Sequence, residues 1–184
     1  MIFLSYMIEE STPTYGNRGR MVFSKASDMA KGDVANNTHF NTTSHIGTHI
    51  DMPCHFFEHG QSIENYCPDF WFFETPLLIE LTPDEHLVQD ELSIKLSEIK
   101  DADQYDLLIV KTGACYQRSK AAYATENIGF SPKIADEIRH YLPQVRMFGF
   151  DTVSVSSFLH RNIGREAHRA FLNPKNPILL LEDL

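Results

Sequence analysis

His45-Ile46-Gly47-Thr48-His49-Ile50-Asp51-Met52-Pro53-Cys54-His55-Phe56 places three imidazoles and a carboxylate between positions 45 and 55. On a helix, at about 100° per residue, Asp51 lies roughly 200° round from His49, so no helical face collects the set. On an extended strand rising about 3.3 Å per residue, His49 and Asp51 share a face roughly 7 Å apart, close enough to grip one ion at about 2.1 Å per ligand. His45 joins them only if the chain bends, and Gly47 is the residue that permits it. Pro53 excludes a helix interior just downstream and holds Met52 extended. The stretch reads as a strand or loop folded around a metal.

The donor types narrow the chemistry. Neutral imidazole with carboxylate suits zinc, manganese or iron, whereas an all-oxygen set points to magnesium or calcium. The stretch offers no cysteine pair, and three protein ligands leave a coordination position open for water. The expectation is a catalytic ion, zinc or manganese. With nine histidines in the chain, the alternative is a chance grouping of hydrogen-bonded side chains.

The pattern His45-x-Gly47-Thr48-His49-x-Asp51-x-Pro53-x-His55-Phe56 resembles the signature of the metal-dependent cyclase-like hydrolases, a family that includes bacterial kynurenine formamidases and isatin hydrolases. Further segments agree in the family's order: Leu108-Ile109-Val110-Lys111-Thr112-Gly113, Gly149-Phe150-Asp151-Thr152-x-Ser154, Ala167-His168-Arg169 and Ile178-Leu179-Leu180-Leu181-Glu182. The resemblance implies that His45, His49 and Asp51 bind one metal. Asp51 would bridge to a second ion held by His168 and Glu182, and His55 would be the catalytic acid and base. One or two ions, Zn or Mn, are implied as cofactors. The implied activity is hydrolysis of an amide, first of all of N-formyl-L-kynurenine in tryptophan degradation, with a cyclic amide such as isatin as the alternative. A metal-binding member that has lost catalysis is the reading from a different class. The family also implies a homodimer or larger homo-oligomer.

Family members normally continue past the position of Glu182 through a further strand and loop, whereas this sequence ends at Leu184. Chain ends are mobile unless tied down, so Glu182 is expected to be a poorly supported ligand. His160, followed by arginine as His168 is, offers a competing assignment, with a spacing to Glu182 that fits less well.

With 184 residues, the chain fits a single domain, 1–184. Its 16 basic and 25 acidic residues give a formal charge of −9, the wrong footprint for a partner that binds phosphate backbones. The expected partner is a small-molecule substrate, not nucleic acid or membrane. Met1 to Ile8 lacks a basic flank and runs into Glu9-Glu10, unlike a signal peptide. No apolar stretch is long enough to span a bilayer. Cys54, Cys67 and Cys115 are odd in number and scattered, which argues for a reducing compartment and a cytoplasmic protein. Cys54 reads as a small packed side chain.

Short apolar runs predict strands near Met21–Phe23, Pro76–Leu81, Leu107–Val110, Arg146–Phe150 and Pro177–Leu181. A helix is predicted from Ser131 as N-cap and Pro132 at the first position, burying Ile134, Ile138 and Tyr141 or Leu142 and stopping before Pro143. A second is predicted over Leu92–Ile99. Mixed strands with a minority of helices indicate an α/β domain, and the family resemblance sharpens this to the swivelling β/β/α type. Asp151 lies at a strand end, where it would line a pocket or cap the turn through Thr152 and Ser154. Phe70-Trp71-Phe72-Phe73, with Phe56 and Phe57, suits either an aryl wall or core packing. Lys111, Arg118 and Arg161 are candidates to meet a substrate carboxylate, and His59 reads as peripheral.

Overall fold

The computed structural model describes residues 3–82 and 88–184, so Met1 and Ile2 of the N-terminal run lie outside it. In chain order the strands and α-helices are β1 (Val22–Ser27), β2 (Asn37–Asn41), β3 (His49–Asp51), β4 (Pro76–Glu80), α1 (Val88–Ser97), β5 (Leu107–Lys111), α2 (Ala121–Thr125), α3 (Pro132–Tyr141), β6 (Met147–Phe150), α4 (Arg161–Phe171) and β7 (Leu179–Glu182). Strands β1 and β2 form an antiparallel pair; the other five form a sheet in the order β3-β7-β6-β5-β4. Within it β4, β5, β6 and β7 run parallel, and β3 closes one edge antiparallel to β7. This is the α/β architecture with mixed sheets and few helices expected for the swivelling β/β/α type.

The central strands follow from composition. Met147-Phe148-Gly149-Phe150 is buried throughout, as a parallel strand covered on both faces must be. Phe148 and Phe150 point the same way and meet Phe130 at 5.0 and 5.1 Å between ring centroids, while Phe171 stacks on Phe148 at 5.2 Å. Helix α3 starts as predicted. The Ser131 side chain accepts from the Lys133 amide, Pro132 occupies the first turn, and Ile134, Ala135 and Ile138 are buried.

Four predicted strands lie within two residues of their observed bounds. Strand β1 starts close to its predicted place but runs on to Ser27, where it pairs with the polar Asn37–Asn41 segment, which no apolar run announces. Helix α1 begins at Val88, earlier than predicted, and ends at Ser97. Helix α4 escaped the sequence reading. Its buried stripe is Gly164, Ala167, His168 and Phe171, at helical spacing; the helix is strongly amphipathic but polar overall, so it carries a periodic signal and no apolar run to announce it. A Cβ on Gly164 would sit 2.1 Å from Ser156 Oγ and 2.8 Å from its Cα. The missing side chain lets α4 press against the 152–157 segment and bring His168 to the sheet.

Candidate metal centre

The edge pairing of β3 with β7 builds the site. His49 lies opposite Glu182 and Asp51 opposite Leu180, so the two-residue period of a strand puts His49, Asp51 and Glu182 on one face. Gly47 takes φ +68°, the left-handed conformation that glycine adopts without strain, and the bend returns His45 over the strand. Pro53 opens a short 3-10 turn that ends at His55. Helix α4 contributes His168.

Four imidazoles converge on Asp51. His45 Nδ1 is 2.8 Å and His49 Nε2 3.4 Å from Oδ1; His168 Nε2 is 3.3 Å and His55 Nε2 3.8 Å from Oδ2. His49 Nε2 also lies 3.6 Å from Glu182 Oε2, and His168 Nε2 3.9 Å from Oε1. His49 Nδ1–H donates to the Gly47 carbonyl at 2.7 Å, and His168 Nδ1–H to that of Gly164 at 2.9 Å. These bonds fix which nitrogen of each neutral ring faces the cluster, so that Nε2 offers its lone pair once deprotonated, the usual outer support of metal-bound histidines.

Asp51 is almost wholly buried, and neither of its oxygens receives a well-aligned hydrogen bond even though His45 Nδ1 stands 2.8 Å from Oδ1. A buried carboxylate left without aligned donors costs at least about 1–3 kcal/mol. Ringed by imidazole nitrogens that can each offer a lone pair once deprotonated, it fits a bridging ligand to a cation. Two sets have ligand atoms all within 4.8 Å of one another: His45, Asp51 and His55, and His49, Asp51 and Glu182. Neither set is the expected trio of His45, His49 and Asp51: His55 stands with His45, Glu182 with His49, and His168 belongs to neither set although its Nε2 lies 3.3 Å from Asp51.

The electrostatics of the metal-free site are those of a crowded cluster. Burial pulls the His49 pKa down, but Asp51, Glu182 and the Gly47 carbonyl together raise it to about 9. Burial and the neighbouring Asp51 charge lift Glu182 to about 7. Asp51 is pushed up by burial, but His168, His45 and His49 hold it well below the carboxylate range. Burial, against the pull of Asp51 and with the help of three nearby imidazoles, takes His55 down to about 4.

The expected mobility of Glu182 is not what the fold gives. Glu182 is buried in β7, where its Oε1 accepts from the Val155 amide at 2.8 Å. The next residue is a clamp. Asp183 takes two bonds from Arg118, at 2.8 and 2.7 Å, and one from the Tyr123 hydroxyl at 2.5 Å. Its amide donates to the Thr152 carbonyl, its carbonyl accepts from Thr48 Oγ1, and the Leu184 amide donates to the Phe150 carbonyl. The chain end is pinned on both sides of the site.

Several other candidates are displaced. Arg118 serves Asp183 and lies over Tyr6 at 3.9 Å; Lys111 pairs with Glu80 at 2.9 Å. Asp151 caps a different turn from the one expected. It accepts from Thr112 N and Oγ1 and from Gly113 N, all at 2.8 Å, tying β6 to the loop after β5. Phe70, Trp71 and Phe73 pack against the core, as does Phe57, with Arg146 over Phe70 and Phe73. Phe56 alone of the aromatic set reaches the site, stacked on His168 at 4.5 Å. His59, His160 and Cys54 are exposed, Cys54 against expectation. A cavity of about 200 Å³ opens over the cluster, lined also by Tyr15, Val153, Ser154, Ser156, Arg161 and Arg165. Arg165 and Tyr15 had escaped notice; the i, i+4 arginines ahead of His168 were the available signal.

Fold and cluster together define an α/β domain built around a candidate metal centre. A family model described as Cyclase matches residues 2–157, and the chain belongs to that family. The match includes positions 45 to 55 and ends before His168 and Glu182. Among solved structures, isatin hydrolase A from Labrenzia aggregata, bound to benzyl benzoate, aligns at TM-score 0.71 and 18% identity over 98% of this chain and 78% of its own. Isatin hydrolase A from Ralstonia solanacearum aligns at 0.69 and 18%, over 98% and 77%. A structure described as a potential metal-dependent hydrolase with cyclase activity aligns at 0.71 and 19%, over 98% and 79%. These likenesses concern the fold. A comparison with curated protein sequences gave no match. No described helix is long and apolar enough to cross a membrane.

Proposed function

We propose that this protein is a metal-dependent hydrolase of aromatic amides, and that the bond it cleaves is a cyclic amide of the isatin kind. The observation that carries the reading is Asp51: a buried carboxylate whose two oxygens receive no well-aligned hydrogen bond, ringed by imidazole nitrogens. The fold shared with isatin hydrolases favours the cyclic amide over N-formyl-L-kynurenine, the substrate first expected. His45, His49 and Asp51 would hold one ion, and Asp51 with His168 and Glu182 a second, zinc or manganese. When bound, such an ion supplies a water of lowered pKa and polarises the scissile carbonyl.

His55 is the group we assign to proton transfer. Its side chain is one-third exposed to the cavity, and its lowered pKa keeps it neutral and able to accept at pH 7. As water oxygen bonds to the carbonyl carbon, His55 Nε2 takes the water proton; as the C–N bond breaks, it returns that proton to nitrogen. Ser154 and Ser156, which line the cavity, offer hydroxyls to orient the substrate.

We also propose a homo-oligomer. Phe3, Met7, Val34 and Phe40 are more than two-thirds exposed, large apolar side chains that a second copy of the chain would cover. Light scattering coupled to size exclusion tests it. The activity test is metal content by elemental analysis, followed by isatin and N-formyl-L-kynurenine hydrolysis after loading with Zn or Mn. Protein that takes up no stoichiometric metal, or hydrolyses neither amide when loaded, refutes the reading.

A further inference from the structure

One wall of the cavity carries positive charge that amide hydrolysis does not need. We propose that Arg161 and Arg165 bind a carboxylate of the substrate, so that the compound hydrolysed is an aromatic amide carrying an acid group; this rests on the hydrolase reading above.

Both arginines line the cavity over the metal cluster. They share a face of α4 with His168, at i, i+4 and i+7. At about 1.5 Å rise per residue they lie roughly 10 and 4.5 Å along the axis from that histidine. Arg118, Arg139 and Arg146 are each paired with an aspartate. Arg161 instead rests on the Phe158 ring at 5.7 Å, and Arg165 reaches the Asn162 side chain at 3.3 Å. Neither has a carboxylate partner among the described residues. Arg161 is also held in place. Phe158 meets Tyr15 edge-on at 5.4 Å, and Arg18 lies over the same ring at 5.6 Å. Gly16 admits the ring where a Cβ would approach it to 2.1 Å.

The acidic groups that line this cavity, Asp51 and Glu182, are buried and engaged by imidazoles, and neither pairs with Arg161 or Arg165. Phe56, Tyr15 and Val153 give the ring of a ligand apolar surface. A planar fork one to two turns from the metal ligands matches a carboxylate held apart from the scissile bond.

The test compares isatin with isatin-7-carboxylate on metal-loaded protein, and benzoate with benzamide by calorimetry, in wild type and in Arg161→Gln/Arg165→Gln. The acid-bearing substrate is expected to have at least about tenfold higher kcat/KM, and benzoate to bind at least about tenfold more tightly than benzamide, with both ratios falling towards one in the double variant. Equal ratios in the wild type overturn the proposal. So does benzoate affinity that survives in the double variant, because the ligand then sits on the metal. If neither isatin is hydrolysed, the hydrolase reading fails by itself, and the benzoate and benzamide ratios still decide the subsite.

Discussion

Replacing Arg118 by alanine removes the cation from a carboxylate that is almost wholly buried. Asp183 keeps the Tyr123 hydroxyl and loses both guanidinium bonds. Breaking a buried pair from one side costs about 3–5 kcal/mol; with one strong donor left, the lower end applies, about 3 kcal/mol. At about 2–4 °C per kcal/mol for a chain of this length, metal-free protein should melt about 6–12 °C lower. Arg118→Met keeps the apolar stem but not the guanidinium that lies over Tyr6 at 3.9 Å, and should lose nearly as much. Asp183→Asn still accepts from Tyr123 and should lose about 1–2 kcal/mol. Because Glu182 precedes the clamp, metal affinity should also fall, by about ten- to a hundredfold as for other outer-shell changes. Thermal melts of metal-free protein and competition titrations with a chelator read the two effects. A melting shift below about 2 °C for Arg118→Ala would mean that the clamp does not hold the chain end.

His49→Ala should abolish metal uptake and turnover, while His55→Ala should keep its metal and lose about a hundred- to ten-thousandfold in kcat; full activity in either contradicts the assigned roles. The metal-free site has a pH signature. His49 has a folded pKa raised from 6.5 to about 9, so its stabilising effect is complete below pH 6.5 and is lost as pH rises through 9. Between pH 7 and 9 Asp51 and His55, both lowered, do not titrate, and Glu182, raised to about 7, acts in the same direction as His49. Melting of metal-free protein should therefore drop across that window, and a rise would contradict the cluster's electrostatics. Metal uptake at pH 7 should release protons, since His49 must give up its own; calorimetry in buffers of different ionisation enthalpy counts them. Gly164→Ala should cost about 1–3 kcal/mol by overpacking against Ser156 and weaken metal binding by moving His168. An unchanged melt would show that α4 has room to spare.

Local spacing accounts for what was legible without coordinates. The i, i+2 relation of His49 and Asp51, the glycine bend and Pro53 each act over a few residues, so the strand that carries the first ligands could be read directly. Ser131 and Pro132 likewise announced α3, and short apolar runs announced β4 to β7. Helix α4 was hidden because three of the four residues of its buried stripe, Gly164, Ala167 and His168, serve close approach and ligation rather than area removed from water, with Phe171 the only large apolar side chain among them. Strand β2 was hidden because Asn37–Asn41 is exposed throughout and held by its partner.

The chain end is where tertiary structure had the final say. By position, Glu182 belongs to a fraying terminus. By sheet order, it lies between β3 and β6, opposite His49, and is followed by an aspartate that Arg118 grips across 65 positions and a backbone that Thr48 bonds across 135. The sequence by itself determined which residue types are present for a metal and which local conformations present them. Their convergence on one carboxylate, and the fixing of the last ligand, came from pairings between segments remote in the chain, which no local periodicity encodes.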